Sequence, residues 1–299
     1  MGFSWAVATE LSQDALIVQA PAWLAFGAAM SLFVQLGETA RVLLLTRLGK
    51  AHWLASQRIS FMANLLSLLP LGWVGGDLYR THKLSSFAAN AGEALGGVAI
   101  ARLLGLIATT ALFAIASFAI LTDPPEIAFN VSGLQRPLGI GLTLLVLATA
   151  VLLFLPRVRR PLMARVQKLL SQTSTAVGDI RLPALLLAGL VSLGVALGRG
   201  LLLWSVALTL GEQVSLPIAL AASGVGLVIS VVPFTSAGIG LREAAIAAAL
   251  AALGPPLTAA ILIASGTRLL AASVSLVGWA GLAILERRTG KSHPAGEGS

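Results

Sequence analysis

The sequence predicts an all-α, polytopic integral membrane protein with broken or re-entrant helices and an inverted pseudo-repeat. Three observations carry this. Residues 15–37, 103–122, 137–156, 213–241 and 244–267 each run 20 residues or more without Asp, Glu, Lys or Arg. A hydrocarbon core about 30 Å thick needs roughly 20 such residues as helix. Only 11% of the 299 residues are charged and 57% are hydrophobic, whereas soluble domains carry about 25% charge. Finally, two apolar segments are interrupted by proline and glycine, and each precedes a longer helical run holding an embedded arginine.

Residues 1–14, MGFSWAVATELSQD, lack a basic leader and contain Glu10 and Asp14, so no cleavable signal is expected. The first apolar run then crosses inward to Arg41, Arg47, Lys50 and Arg58, which read as cytoplasmic bases. Residues 59–79, ISFMANLLSLLPLGWVGGDLY, are apolar but lie between bases at both ends. This pattern fits a re-entrant hairpin broken near Pro70, Gly72, Gly75 and Gly76, with a single short span as the alternative. A span over about residues 95–121 follows, with Arg80 and Lys83 on its inner flank. The stretch TDPPEIAFNVSGLQR suits an outer loop, and residues 137–155 return inward.

The clearest cytoplasmic loop covers residues 156–182, with Arg157, Arg159, Arg160, Arg165, Lys168 and Arg181 against Asp179. Residues 182–210 then run outward to a turn at Gly211, Glu212 and Gln213. Two short arms, about residues 216–232 and 241–253, flank Pro233, Gly238 and Gly240. A last span over residues 257–285 ends at Glu286, Arg287 and Arg288, which puts the C-terminus inside. One transmembrane domain therefore spans residues 1–285, its halves at about 21–155 and 183–285, followed by a disordered cytoplasmic tail over 286–299. The first broken segment enters from inside and the second from outside. Inverted repeats with broken helices at a central site are a recurring transporter plan.

Ionisable residues inside such spans need a reason. Arg102, Arg199 and Arg268 sit in long apolar runs, with Glu38, Asp77, Glu93, Glu212 and Glu243 as the candidate partners. Snorkelling is an equal reading for Arg102; pairing or ligand contact is favoured for Arg199 and Arg268. A guanidinium facing a cavity also suits a phosphate, which it holds bidentately. Asp77 and Arg80 can share a helix face, and Asp77 after two glycines suits a helix start. Arg242 and Glu243 are adjacent. Asn64 holds the broken segment to a neighbour or touches a ligand, and Thr235 and Ser236 cap an open helix end or bind an anion there.

Other chemistries lack support. There is no cysteine, so no disulfide framework or thiolate chemistry is available. His52, His82 and His293 are far apart, and no metal site or cofactor is expected. GxSxG, HExxH and Walker sequences are missing, so no catalytic residue is assigned. The net charge of +8 follows the loops rather than a nucleic-acid surface.

The segments NLLSLLPLGWVGGDLYRTHKL and VISVVPFTSAGIGLREAAI, each followed by a helical arginine, resemble the lysylphosphatidylglycerol synthase transmembrane-region family over about residues 21–285. That family includes the flippase domain of the bacterial multiple peptide resistance factor. The resemblance implies a bacterial inner-membrane protein that translocates or handles a lipid. It carries over Asn64, Pro70, Asp77 and Arg80 in the first motif, Pro233, Gly238, Gly240, Arg242 and Glu243 in the second, and Arg102 and Arg268 after them. Ala101 stands where the family often has glutamate, and the helix often found before residue 21 is not recognisable. The soluble aminoacylating domain of two-domain members is not carried over. The expected partner is a membrane lipid: a phospholipid, hopanoid, glycolipid or lipid-linked precursor. The alternative is a non-catalytic scaffold for a lipid or glycan biosynthesis enzyme, and a membrane-embedded transferase is weaker for want of an acid–base pair.

Overall fold

The structure, a computed structural model, describes residues 20–46, 48, 52–68, 72–87, 91–122, 182–231 and 240–288. The expected outer loop, the span at 137–155, the basic loop and the C-terminal tail beyond 288 lie outside them, as do Pro70, Pro233, Thr235, Ser236 and Gly238. The described residues form helices α1 (Pro21–Leu45), α2 (Trp53–Leu66), α3 (Gly72–Ser85), α4 (Ala91–Thr122), α5 (Leu182–Thr209), α6 (Leu216–Val231), α7 (Leu241–Leu253) and α8 (Leu257–Arg288). No strand occurs among them.

Among the described residues four helices, α1, α4, α5 and α8, are long and apolar enough to cross a membrane. Their exposed faces carry Leu186, Leu190, Ile107, Phe118, Leu269 and Val277. Lipid can solvate such a surface; water cannot over so large an area. Three buried hydroxyls bond within their own helices: Thr39 donates to the Gln35 carbonyl at 3.2 Å, Ser192 to Ala188 at 2.8 Å and Thr267 to Ile263 at 2.7 Å. That satisfies a polar group without a tertiary partner. The protein is thus all-α and multi-pass.

Between the long helices lie short ones. Helices α2 and α3 have 14 residues each, α6 has 16 and α7 has 13. At 1.5 Å per residue each is about 20–24 Å long, too short for a full bilayer core. Gly75 and Gly76, expected at the break, lie within α3. Gly76 is instead a contact point, because a Cβ there would collide with the Ala63 carbonyl oxygen of α2. Asp77 is likewise inside α3 rather than at its start. Gly240 precedes α7 with φ of +105°, a backbone region that L side chains avoid. The last span reaches Arg288, so Glu286, Arg287 and Arg288 extend α8 rather than begin the tail.

Helix α1 packs most extensively on α5. The other packed pairs are α2 with α3, α6 with α7, α3 with α4, α7 with α8, α1 with α2, α5 with α6, α1 with α4, α5 with α8, α4 with α5, α1 with α8, α4 with α6 and α2 with α8. Small residues bring α1 and α5 together. A Cβ on Gly37 would lie 2.6 Å from Val195, and one on Gly198 would lie 3.0 Å from Val34. Aromatic rings fill other glycine gaps, with Phe61 of α2 on Gly278 of α8 and Phe113 of α4 on Gly224 of α6. The larger apolar core comes from α5–α8 with Phe113 and Ala116, and the smaller from α1–α4 with Ala188.

Candidate functional site

Polar side chains concentrate where α1 meets the short helices. Ser31, Gln35, Glu38 and Arg41 recur every three or four residues along α1, so they share one face. All four are buried. Gln35 ties three helices: its Nε2 donates to Ser31 Oγ at 3.3 Å and to the Ala271 carbonyl at 3.5 Å. Its Oε1 accepts from Ser275 Oγ at 2.7 Å and from Asn64 Nδ2 at 3.4 Å.

One turn further along, Glu38 pairs with Arg199 of α5 and lies 3.5 Å from Arg80 of α3. Arg80 also donates to Asn64 Oδ1 at 3.5 Å. Arg41 makes one long bond, 3.4 Å to Ser192 Oγ. It stacks its guanidinium against α4 at Gly105, where a Cβ would fall 2.5 Å from Arg41 Nη1. Arg102 sits three residues earlier on α4, and both arginines lie within electrostatic reach of Glu38.

Two further pairs flank this centre. Asp77 of α3 accepts two bonds from Arg102, from Nε and Nη2, each 2.7 Å. Glu243 of α7 lies 2.5 Å from Arg268 Nη1 through Oε1, and its Oε2 accepts the Gly240 N–H at 3.0 Å. Arg268 also donates to the Ser67 carbonyl at 3.1 Å, where α2 ends. That carbonyl is one of the unpaired groups every helix C-terminus leaves. In each flanking pair the acid stands 25 residues before its arginine. Arg242 has no carboxylate within ion-pair distance among the described residues, yet it feels Arg199, Glu243 and Glu38.

The structure thus brings together Asn64, Arg80 and Arg199 around Glu38, and joins Arg268 and Glu243 to them through Ser67. Asp77 and Arg80 do not pair despite their spacing: Asp77 reaches α4 and Arg80 reaches α1. Arg41 and Arg80, expected as cytoplasmic flanks, are each only 3% exposed. Helix packing, not the boundary of the apolar run, decides their surroundings. Gln35, Ser67, Ser192 and Ser275 carry no signal of their own in the sequence, Arg41 reads there only as a cytoplasmic base, and Glu38 only as a possible partner. The polar spacing along α1 was the available signal.

The balance of charge follows. Arg41, Arg80, Arg102, Arg199, Arg242 and Arg268 meet Glu38, Asp77 and Glu243. Among the described residues, these six guanidiniums against three carboxylates leave three positive charges in excess. Glu93, also on α4, lies nine residues before Arg102, about 14 Å along the axis. Such an arrangement can hold an anion in surroundings of low dielectric.

Compared with protein-family models, the chain matches the lysylphosphatidylglycerol synthase transmembrane region over residues 3–278. No curated protein and no solved structure matches it. The chain belongs to the lysylphosphatidylglycerol synthase transmembrane-region family, and the match is to that membrane region rather than to an aminoacylating domain.

Proposed function

We propose that this member of the lysylphosphatidylglycerol synthase transmembrane-region family is a flippase-like transporter that moves a lipid headgroup between the leaflets of the bacterial inner membrane. The observation that carries this is the polar seam: ion pairs and amides from α1, α2, α3, α5, α7 and α8 meet inside a body whose outer faces are apolar. Buried charges in a membrane protein are costly and mark a pathway or a site. A headgroup could follow this seam while its tails stay in lipid, which avoids moving the whole molecule through hydrocarbon.

The halves support an inverted repeat. Helix lengths run 25, 14, 14 and 32 residues, then 28, 16, 13 and 32. Exchanging α1–α4 with α5–α8 turns each packed pair named above into another of them, and α1 with α5 into itself. Glu38 and Arg199 are each the eighteenth residue of their helix, and Arg102 and Arg268 each the twelfth. The short helices act as re-entrant hairpins facing opposite sides, which suits alternating access. The basic loop at 156–182 and the C-terminus are cytoplasmic in this scheme, and the N-terminus is outside.

The test is leaflet exchange of labelled lipids in vesicles holding purified protein, with thermal stability measured beside it. Wild type accelerates exchange. Arg242→Gln slows it about fivefold or more, because a charge-assisted bond to the passing headgroup is lost. It keeps its stability, because Arg242 has no carboxylate to abandon among the described residues. Rates equal to protein-free vesicles for every lipid tried would favour a scaffold for a lipid or glycan biosynthesis enzyme.

A further inference from the structure

The guanidiniums around Glu38 are poorly satisfied. A guanidinium offers five N–H donors. Arg41 uses one long bond, and Arg80 reaches Asn64 and Glu38 only at 3.5 Å. The Nε atoms of Arg41 and Arg80 are buried without any partner. Arg80 shares Glu38 with Arg199, and Arg41, one turn along α1 from Glu38, lies within electrostatic reach of all three. Stranded donors on buried charges are unfavourable unless something else completes them. Water or a neutral hydroxyl would satisfy geometry and leave the excess charge; an oxyanion with several acceptors satisfies both.

We propose that Arg41, Arg80 and Arg199 form a binding site for a phosphate ester anion, with Glu38 as the resident counter-ion that shares or cedes its arginines when the anion arrives. The proposal rests on the translocation reading and deepens it, because it fixes the class of lipid. The carried headgroup is net anionic. An aminoacylated headgroup would bring a cation to three arginines that face one carboxylate, and that carboxylate is engaged by Arg199 and Arg80. Gly105 belongs to the site as well, since its missing side chain is the space the Arg41 guanidinium occupies.

Binding is tested on the full chain in detergent, by thermal stabilisation at constant ionic strength. The ligands are phosphatidylglycerol, phosphatidylcholine, lysylphosphatidylglycerol and inorganic phosphate. The expected result is stabilisation by phosphatidylglycerol and by inorganic phosphate, with less from the other two. Stabilisation by inorganic phosphate alone keeps the site and makes its ligand a soluble anion. Equal effects from all four, or the largest from lysylphosphatidylglycerol, overturn it. Arg41→Gln and Arg80→Gln each weaken phosphatidylglycerol binding about tenfold or more. Arg41→Gln also raises the Tm of the unliganded protein, because it removes an unpaired buried charge. Arg58→Gln, at the distant ion pair with Glu286, leaves binding unchanged. A lowered Tm with unaltered phosphate affinity in both site variants would make the cluster a structural brace and overturn the proposal. Binding needs no transport. Phosphate recognition without leaflet exchange sinks translocation and spares the site; exchange without charge selectivity does the reverse.

Discussion

The two halves of the molecule share a plan and differ in content. Ser31 and Ser192 hold the same place in α1 and α5, as do Val34 and Val195, and Gly37 and Gly198. Where the first half has Gln35 and Arg41, the second has Ala196 and Leu202 at the matching positions. Asn64, twelfth in α2, corresponds to Leu227 in α6, and Arg80, three residues after Asp77, corresponds to Ile246, three after Glu243. The second half accordingly builds most of the larger apolar core. The difference teaches a division of labour: the second half supplies most of the apolar packing, and the first adds the polar groups Gln35, Arg41, Asn64 and Arg80 that have no polar counterpart across the exchange.

The strongest way to break this comparison is at the join. Glu38→Ala leaves Arg80 and Arg199 without their nearest carboxylate, and should cost roughly 3–5 kcal/mol in reversible unfolding. If Glu38→Ala unfolds with wild-type stability, the polar half is not organised by that carboxylate.

A second measurement compares the flanking pairs. Glu243→Ala should destabilise more than Asp77→Ala, with about 3 kcal/mol as the upper scale. The Arg268 side chain is 17% exposed against 37% for Arg102, so water compensates Arg102 better for the loss of Asp77. The reverse order would mean that the two-bond geometry of Asp77 outweighs exposure.

The smallest expected effect separates the hairpins. Gly76→Ala drives a methyl into the Ala63 backbone carbonyl, and should cost about 1–3 kcal/mol. Gly226→Ala meets the Ile246 side chain instead, 2.6 Å from both its Cγ1 and its Cδ1. Its cost should be the smaller of the two, because a side chain gives way more readily than a backbone carbonyl. Equal Tm losses for the two variants would show that the arms approach alike in both halves.

The long helices were legible because hydrophobic length is a local property. The spans expected at about residues 95–121, 182–210 and 257–285 match α4, α5 and α8 within a few residues at each end. Charges near the ends of runs were not legible in the same way. Arg41 and Arg80 look like boundary residues in one dimension, but neighbouring helices cover them in three. Gly75 and Gly76 were read as a break because glycine serves both turns and close helix contact, and sequence alone does not separate those uses. The possible pairing of Arg268 with Glu243 could be named from charge scarcity. The role of Gln35 could not, since an amide becomes informative only when Asn64, Ser275 and Ala271 are seen around it.

The meeting of Glu38 with Arg199 carries a consequence for symmetry. In a twofold pair of identical subunits, the eighteenth residue of one first helix would face its own copy. Acid would oppose acid, or base would oppose base, within an apolar medium. The contact seen here is available only to two halves that no longer have the same sequence. The pair thus makes the two halves complementary rather than interchangeable: each supplies a charge that the other lacks at the matching position.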